Sequence, residues 1–402
     1  MIEAHKISAD TILDGKGKIF KDHVIIVEES GEILAIDPIT KHTDGTNQTG
    51  EEIQKHKGTI IPGLINTHCH LELSHLQNRI PTGTGLVPFI TSVVQLRDVP
   101  QEKIDQAIVN ADRYMFESGI QAVGDISNKS DTAKIKSKSP ISYYTFVEMF
   151  DLMNPNITQA SIEQYTEAFE AQSEEGLNEK SLVPHAPYSV SPELFRYIQQ
   201  ANPTGKVVSI HNQETQPENQ MFQTNNGEMV NFFSNIGMPI SDFPEKGVNS
   251  IDYALKYMND DLKTIFVHNT MCTAADLKKA KTWSENIYWA TCPNANLYIE
   301  NTLPNYQLFL EQDCKLVIGT DSLSSNWQLS IWEEMKTILK YQSGISFHEV
   351  LKWATINGAH ALDYHDIYGS IEVGKKPGIL LINANCDEDG FDIQGCSLKR
   401  LI

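Results

Sequence analysis

The 402-residue sequence predicts an α/β fold: a (β/α)8 TIM barrel with a small discontinuous β-sandwich domain formed by both termini. Two observations support this prediction. Between residues 58 and 369, eight short apolar strands alternate with amphipathic helices. Residues 1–57 and 370–402 instead contain short strands separated by turns. We therefore expect one large domain, 58–369, and one small β domain built from 1–57 and 370–402.

The small β domain begins with a predicted hairpin. Its strands are Val24–Val27 and Ile33–Ile36, and the polar segment Glu28–Glu32 connects them. Asp44–Asn47 is a turn cluster that contains Gly. Near the other end of the chain, Ile379–Ile382 is again an apolar strand, and we expect it to rejoin the N-terminal strands.

The eight strands of the barrel are short and apolar, as expected for strands that are buried on both faces. In chain order they are Thr59–His70, Gln121–Ser127, Tyr143–Phe150, Leu182–Tyr188, Val207–His211, Thr264–His268, Ile287–Thr291 and Leu316–Asp321. The clearest amphipathic helices between and after them are Lys103–Ser118, Ile162–Gln172, Pro192–Gln200, Ala274–Lys281 and Ile331–Tyr341. The long connection Glu214–Lys263 contains two further helical segments, Met229–Ile236 and Ile251–Met258, and is either a lid or a tolerated surface insertion.

The composition excludes several classes of partner. The formal net charge of −20 disfavours nucleic acids and acidic membrane surfaces, because both select basic proteins. No apolar run reaches the length of a membrane span, and the N-terminal segment lacks the apolar core of a signal peptide. The 6 Cys residues form no CxxC pair, which favours a reducing compartment. We expect a cytoplasmic protein with a small-molecule substrate and with neither a nucleic-acid nor a membrane partner.

Side chains with metal-binding chemistry stand at the ends of several predicted strands. His68 and His70 are two residues apart on the first strand, so their side chains point to one face and that of Cys69 to the other. Two imidazoles that converge at a strand end form half of a metal site. The fifth, sixth and eighth strands end in His211, His268 and Asp321. Because the chemistry of such a barrel sits at the carboxyl ends of its strands, we expect the site there.

Six motifs follow one another along the chain. They are Pro62-Gly63-Leu64-Ile65-Asn66-Thr67-His68-Cys69-His70, His185-Ala186-Pro187-Tyr188-Ser189-Val190-Ser191, His211-Asn212-Gln213-Glu214-Thr215, Gly319-Thr320-Asp321-Ser322, Asn357-Gly358-Ala359 and Gly369-Ser370-Ile371-Glu372-Val373-Gly374-Lys375. With these motifs, essentially the whole chain resembles the amidohydrolase superfamily, in particular its metal-dependent deaminase and chlorohydrolase branch. That branch includes methylthioadenosine/S-adenosylhomocysteine, aminodeoxyfutalosine, guanine and cytosine deaminases. The resemblance implies that one metal ion, with His268 beside it, is bound by His68, His70, His211 and Asp321.

The sequence departs from the many relatives that hold two metal ions with a carboxylated Lys at the end of the fourth strand. Here that strand contains no Lys, and Lys180 precedes it, at the opposite end of the barrel. This departure indicates one divalent metal ion. Zinc suits three imidazoles and a carboxylate with an open position for water, and ferrous iron fits them almost as well. Barrels of this family often pair, so a homodimer stays open.

The resemblance also implies roles for the polar residues. Asp321 is both a metal ligand and the base that takes a proton from water, and His268 orients and polarises that water. Glu214 shuttles a proton to a ring nitrogen of the substrate and helps the amine leave as ammonia. The candidate substrate contacts are Glu72, His185, Asn294 and Trp327. His185 either contacts a purine or ribose edge or is structural, and Glu72 either accepts hydrogen bonds from sugar hydroxyls or caps a turn.

The sequence thus predicts a zinc-dependent aminohydrolase that releases ammonia from an amino-substituted nitrogen heterocycle. The expected substrates are adenosine-type nucleosides such as methylthioadenosine, S-adenosylhomocysteine or aminodeoxyfutalosine. Guanine, cytosine and triazine compounds, including dechlorination, use the same apparatus. The runner-up reaction is hydrolysis of a cyclic amide such as imidazolonepropionate. A catalytically inactive barrel used for binding or assembly is the alternative from another class, and the retention of all five strand-end positions argues against it.

Overall fold

The computed structural model describes residues 4–42, 52–238, 246–386 and 392–402. The predicted turn at Asp44–Asn47 lies outside the described residues, as does part of the connection Glu214–Lys263. The chain forms two compact units. One consists of Met1–Asn66, Arg113–Ala122 and Ser330–Ile402, and the other of Thr67–Asp112 and Val123–Leu329. The division into 58–369 and a domain of both termini stays a prediction.

Strands occur along the whole described chain, and they alternate with helices through most of the second unit. In chain order the strands are β1 (Ala4–Ser8), β2 (Thr11–Leu13), β3 (Ile19–Phe20), β4 (His23–Glu28), β5 (Ile33–Pro38), β6 (Gln54–Lys55), β7 (Thr59–Pro62), β8 (Leu64–Cys69), β9 (Ile120–Ser127), β10 (Ser142–Met149), β11 (Glu179–Pro184), β12 (Val207–Asn212), β13 (Lys263–His268), β14 (Ile287–Thr291), β15 (Leu316–Ile318), β16 (Ile379–Ile382) and β17 (Leu398–Arg400).

The helices follow the same order. They are α1 (Leu86–Leu96), α2 (Gln101–Glu117), α3 (Ala133–Lys136), α4 (Thr158–Ala171), α5 (Pro192–Ala201), α6 (Gln216–Thr224), α7 (Glu228–Asn235), α8 (Ser250–Tyr257), α9 (Ala274–Trp283), α10 (Pro293–Glu300), α11 (Tyr306–Glu311), α12 (Ile331–Tyr341), α13 (Phe347–Lys352) and α14 (Gly358–Ala361). Both helical segments predicted within Glu214–Lys263 are present, as α7 and α8. In the described part of the chain, no helix has both the length and the apolarity that crossing a membrane requires.

The terminal strands form two sheets in the first unit. Their strand orders are β5-β4-β1-β6 and β17-β16-β7-β2-β3. The antiparallel pairing of β4 with β5 confirms the predicted hairpin. Strand β16 pairs antiparallel with β7, so the C-terminal strand does rejoin the N-terminal ones. Apolar residues of both sheets share one buried cluster, which includes Ile7, Ile25, Ile60 and Ile379. That is the packing a sandwich requires, and the sandwich itself stays a prediction.

Two four-stranded sheets carry the strands that position the site. Their orders are β8-β9-β10-β11 and β12-β13-β14-β15, and strands in the second sheet are parallel throughout. Backbone hydrogen bonds join the two sheets beyond the ends of the strands. The His211 amide donates to the His185 carbonyl oxygen over 3.0 Å, and the Thr320 amide donates to that of His68 over 2.9 Å. The α/β class is confirmed, whereas closure of all eight strands into a barrel stays a prediction.

The predicted first strand, Thr59–His70, was wrong as a single element. The chain divides it at Gly63 into β7, which belongs to a terminal sheet, and β8, which belongs to a parallel sheet. A Cβ atom at Gly63 would lie 2.3 Å from Gln121 Cγ and 2.5 Å from the Pro377 carbonyl oxygen. Only glycine allows this close approach of three chain segments, so the chain can change sheets there.

The predicted fourth and eighth strands extended too far at their carboxyl ends. Strand β11 ends at Pro184, so His185 lies just beyond it. Strand β15 ends at Ile318, and Asp321 follows with a left-handed φ of 59°. Asp321 continues the pairing only as an isolated parallel bridge with Cys69, because its left-handed φ departs from the extended conformation of a strand.

A buried ion pair supports the strands beneath the site. Lys136 Nζ lies 2.6 Å from Asp125 Oδ2, and both side chains are almost completely buried. Lys136 also donates to the hydroxyls of Ser127 and Thr145. The second oxygen of Asp125 accepts from the Leu71 amide over 2.8 Å. The pair therefore anchors the residue that follows His70.

Removal of one partner should leave the other charge buried and uncompensated. We expect Lys136→Ala to lower the free energy of unfolding by about 3–5 kcal/mol, as measured by chemical denaturation. The control is Lys206→Ala, which removes a partly exposed ion pair with Glu179 and should cost no more than about 1 kcal/mol. Equal losses in the two variants would contradict a special contribution of the buried pair.

Candidate active site

Three histidine side chains meet at the carboxyl ends of two strands. His68 belongs to β8, His70 follows it, and His211 belongs to β12. His70 Nε2 lies 3.2 Å from His68 Nε2 and 3.3 Å from His211 Nε2. All three rings are buried, and together they form a group that can hold a metal ion. The alternation of the strand brings His68 and His70 to the same side, as their spacing predicts.

The three rings fit a metal ion. Burial lowers the pKa of His70 to about 3 and also lowers the pKa of His68 and of His211. Each neutral ring can therefore turn an unprotonated nitrogen toward a cation that lies between the three rings. Tetrahedral zinc with bonds of about 2.0–2.1 Å places its ligand nitrogens about 3.3 Å apart. The observed spacing is close to this value.

Asp321 adds a carboxylate to the cluster. Its Oδ1 lies 3.4 Å from His70 Nε2 and 3.7 Å from His68 Nε2. The Ser325 hydroxyl donates to Oδ2 over 2.7 Å and so orients the group. Burial by itself would raise the pKa of Asp321, but the hydrogen bond to His68 and the nearby imidazoles outweigh burial and hold it well below its usual range. Asp321 is therefore an ionised acceptor.

His268 and Glu214 face each other beside the cluster. His268 Nε2 lies 3.7 Å from Glu214 Oε1, and His268 Nδ1 donates to Asn296 Oδ1 over 2.9 Å. Burial would lower the pKa of His268, but the carboxylates of Glu214 and Asp321 outweigh it and raise that pKa. Burial raises the pKa of Glu214 to about 7. Near neutral pH, Glu214 can therefore both hold and release a proton.

A cavity of about 910 Å³ opens onto these groups. Its polar end is lined by His70, His211, Glu214, His268 and Asp321. Helices α1 and α7, which are in contact, contribute most of its apolar wall. The apolar wall residues include Val87, Ile90 and Val94 from α1, and Phe232 and Phe233 from α7. Such a cavity is large enough for a drug-sized ligand.

The four predicted substrate contacts occupy different surroundings. His185 lines the cavity, and its Nδ1 lies 2.6 Å from Ser189 Oγ. Glu72, Asn294 and Trp327 are absent from the described residues that line it. Glu72 instead accepts hydrogen bonds from the amides of Asn128 and Lys129, and Trp327 is 49% exposed. Asn294 is buried in the first turn of α10. The substrate contacts of all four stay predictions.

Glu148, the second-last residue of strand β10, also lines the cavity and was not predicted from the sequence. Its Oε2 is buried, 3.7 Å from His211 Nδ1, and has no hydrogen-bond partner within the described part of the chain. Burial, reinforced by the negative charge of Glu72, raises the pKa of Glu148 to about 8. Glu148 is two residues before the end of the third predicted strand, Tyr143–Phe150, just as His68 is in the first, so a search of the last residues of every strand would have found it.

Glu148, His185 and His211 form a second group whose atoms are close enough to hold an ion. However, His211 Nδ1 must donate its hydrogen to the His185 carbonyl oxygen, 2.8 Å away, because a carbonyl can only accept. Nε2 of the same ring faces the three-histidine cluster. His211 therefore has no nitrogen free for a second ion. Lys180 lies at the start of β11, where its Nζ donates to the Gln172 carbonyl over 2.9 Å.

Comparisons with known proteins agree with this geometry. The Amidohydrolase family model matches residues 59–395. The chain is 29% identical over 339 residues to an adenosine deaminase of Helicobacter pylori, which covers 81% of this chain and 79% of the relative. It is 26% identical over 394 residues to a 5'-deoxyadenosine deaminase of Methanococcus vannielii, with 93% and 84% covered.

A solved structure has the same fold. The crystal structure of Helicobacter pylori aminofutalosine deaminase in complex with methylthio-coformycin matches with a TM-score of 0.80 at 21% sequence identity, over 99% of this chain and 100% of that chain. The family model matches most of the chain, and the chain therefore belongs to the amidohydrolase family. Within that family it is a hydrolase that acts on carbon–nitrogen bonds.

The raised pKa of Glu214 gives a pH-dependent contribution to stability. A carboxyl whose folded pKa is about 7 instead of 4.5 stabilises the fold fully below its unfolded pKa, and this stabilisation is lost as the pH rises through about 7. In chelator-treated wild-type protein, the unfolding free energy should fall between about pH 5 and about pH 8, by about 1.4 kcal/mol for each unit by which the fold raises the pKa of Glu214. We expect Glu214→Gln to remove this part of the fall.

The matched control for this measurement is Glu163→Gln, which changes an exposed carboxylate on α4. It should leave the pH dependence of the unfolding free energy unchanged. A Glu214→Gln variant with the wild-type pH dependence would show that Glu214 is ionised in the folded protein at acidic pH.

Proposed function

We propose that the protein is a metal-dependent deaminase that removes the exocyclic amino group of an adenosine-type nucleoside and releases ammonia. This proposal is carried by one observation: three imidazole nitrogens and the carboxyl groups of Asp321 and Glu214 converge at the polar end of one cavity. The similarity to an adenosine deaminase and to a 5'-deoxyadenosine deaminase supports the substrate class. Closure of the eight parallel strands into a barrel is part of the same proposal.

His68, His70, His211 and Asp321 are the proposed ligands of a single divalent ion. Three imidazoles and one carboxylate are a donor set that zinc prefers, and ferrous iron is the alternative. The hydrogen bond from His211 to the His185 carbonyl supports one ion rather than two. Lys180 also supports one ion, because its Nζ donates to the Gln172 carbonyl at the start of β11 and not at the strand end that carries the site. When bound, the ion supplies Lewis acidity that brings the pKa of a water molecule toward neutrality.

The side chains then divide the proton transfers among them. Asp321, ionised and oriented by Ser325, accepts the proton that the attacking water loses. His268, held by Asn296, keeps its Nε2 directed at the site and orients that water. The water oxygen bonds to the ring carbon that carries the amino group. Glu214 donates its proton to the adjacent ring nitrogen, which makes the carbon more electrophilic.

The second half of the reaction breaks the carbon–nitrogen bond. The proton that Asp321 received passes to the exocyclic nitrogen, and the amine leaves as ammonia while the ring carbon becomes a carbonyl. Glu214, whose pKa of about 7 suits both directions of transfer, takes up the proton that the hydroxyl on the ring carbon loses as the carbonyl forms, and so regains the proton it gave to the ring nitrogen. The atoms balance as one water consumed and one ammonia released.

The apolar wall from α1 and α7 supports a substrate that carries an uncharged, apolar substituent away from the reacting ring. Val87 and Ile90 face this part of the cavity from α1, and Phe232 does so from α7. The ionisable side chains that line the cavity are not all acidic: Arg97 lines it beside Glu228 and Glu148, and the pKa of about 8 keeps Glu148 largely neutral near neutral pH. His185 is the proposed contact for the purine or sugar edge, and we keep Glu72, Asn294 and Trp327 as candidate contacts.

We also propose a cytoplasmic location. The observation that supports it is that Cys69, Cys272, Cys292, Cys314, Cys386 and Cys396 are all free thiols. Free thiols persist in reducing compartments, where disulfides are rare.

The function is tested by ammonia release from metal-loaded protein offered adenosine, 5'-deoxyadenosine, methylthioadenosine, S-adenosylhomocysteine, guanine, a triazine and imidazolonepropionate. We expect methylthioadenosine to have a kcat/KM about tenfold above that of adenosine, because the cavity buries the extra apolar atoms. Chelation should abolish turnover. If imidazolonepropionate is the only compound converted, and no ammonia is released, the proposal is overturned in favour of cyclic-amide hydrolysis. If guanine is the only compound deaminated, the proposed substrate class is overturned.

The proton transfer is tested by Glu214→Gln. The amide keeps the shape of the side chain but cannot give up a proton to the ring nitrogen, so kcat should fall by about 10²–10⁴. The metal content of the purified variant, measured by atomic emission, should equal that of the wild type. Glu163→Gln again serves as the control. Unchanged kinetics of Glu214→Gln would place the proton donor elsewhere.

A further inference from the structure

The mechanism leaves one buried acid next to Glu214 without a role. Glu218 lies in the first turn of α6, four residues after Glu214, and only 1% of its surface is exposed. It is absent from the described residues that line the cavity, so it does not reach a substrate there. A carboxylate buried this deeply requires hydrogen bonds that compensate for its lost hydration.

Glu218 finds these hydrogen bonds on the backbone that carries Glu214. The Gln213 amide donates to Glu218 Oε1 over 2.9 Å, and the Glu214 amide donates to Glu218 Oε2 over 2.9 Å. Both carboxylate oxygens are thus used, each by one of two consecutive peptide groups. Burial raises the pKa of Glu218, while the Ser250 hydroxyl and the two backbone amides favour the ionised form. The bidentate contact restrains both peptides, because each amide is held by its own oxygen.

The peptide held in this way has an unfavourable conformation. Gln213 is not a glycine, yet its φ is 44°, in the left-handed region. Its side chain is fixed as well, because Gln213 Oε1 accepts from Cys272 Sγ and its Nε2 donates to Asp276. Conformations of this kind persist only where the surroundings impose them, and they concentrate at functional sites. The turn at Gln213 is what directs the next side chain, Glu214, toward His268.

The contact differs from an ordinary helix cap. Thr215 and Glu218 have the spacing of a capping box, in which the acid returns to the amide of the first capping residue. Here the Thr215 side chain makes no cap hydrogen bond, and Glu218 reaches past it to the two preceding amides. The acid therefore serves the loop that presents Glu214 more than it serves the start of α6.

We propose that Glu218 is a positioning residue, which fixes the Glu214 carboxyl against His268 and the cavity by holding the amides of Gln213 and Glu214. This inference rests on the proposed role of Glu214 as the proton carrier. Displacement of a reacting group by about 1 Å costs about 10²-fold in rate, so the effect of Glu218 should appear in the chemical step.

The first variant is Glu218→Gln, which keeps the size of the side chain. Its amide offers one oxygen to the two backbone donors and turns an NH2 group toward the other, so one hydrogen bond is lost. We expect kcat to fall by about 10- to 100-fold, with KM changed by less than about threefold and the metal content unchanged. Wild-type kcat in this variant would overturn the proposal.

The matched control is Asp252→Asn. Asp252 accepts from the Asn249 amide over 3.1 Å in the capping box of α8, so it is also a carboxylate that holds a backbone amide at a helix start. It has no hydrogen bond to the Gln213–Glu214 peptide among the described contacts. Its substitution should leave kcat unchanged.

The decisive comparison is the double variant Glu214→Gln/Glu218→Gln. If Glu218 acts through Glu214, its substitution should cost almost nothing once Glu214 can no longer transfer a proton. A loss in the double variant as large as in the single Glu218→Gln variant would overturn the proposal, since Glu218 would then act independently of Glu214.

Amide hydrogen exchange tests the contact without relying on catalysis. The amides of Gln213 and Glu214 should be protected in the wild type and should exchange at least about tenfold faster in Glu218→Gln. If these amides exchange in the wild type as fast as those of an open loop, the proposal is overturned. This result needs only the wild-type protein, so it holds even if the variant does not fold. If the wild type releases no ammonia from any substrate, the proposed function fails, and the exchange result still decides whether Glu218 holds this turn.

Discussion

The arrangement of the site depends on a fixed backbone that brings three imidazole nitrogens to within 3.2 and 3.3 Å of one another. Burial lowers the pKa of all three rings, so each ring is neutral and has an unprotonated nitrogen that can bind a cation. They remain together because the backbone at the strand ends is fixed. The His68 carbonyl oxygen accepts from the amides of Thr320 and Asp321, and thereby connects β8 to the segment that follows β15. A site of this kind is held in place by the strands before any ligand arrives.

Much of this arrangement follows from local rules that a sequence can express. The period of two on a strand puts His68 and His70 on one side, and parallel strands put His211 at the same edge. The hairpin of β4 and β5 is equally local, because its polar connection and alternating strands are contiguous. The pairing of β16 with β7 is confirmed although it joins distant segments, because the strand pattern of the N-terminal segment returns near the other end of the chain.

The remaining features depend on residues that are distant in sequence. Gly63 divides the predicted first strand because Gln121 and Pro377 approach it, and neither neighbour is visible from the segment itself. The left-handed turns at Gln213 and Asp321 are imposed by tertiary contacts on residues without a glycine signature. The apolar wall from α1 was not foreseen for the same reason, since its helical pattern does not reveal which cavity it faces.

The contact between His211 and His185 separates two tasks within a single residue. The carbonyl oxygen of His185 fixes which nitrogen of His211 carries the hydrogen, whereas the His185 side chain faces the cavity. The first task belongs to the main chain, which every amino acid provides. The side chain at position 185 can therefore change without altering which nitrogen of His211 carries the hydrogen. Ligand preference in this fold can evolve at such a position without disturbing the histidine cluster.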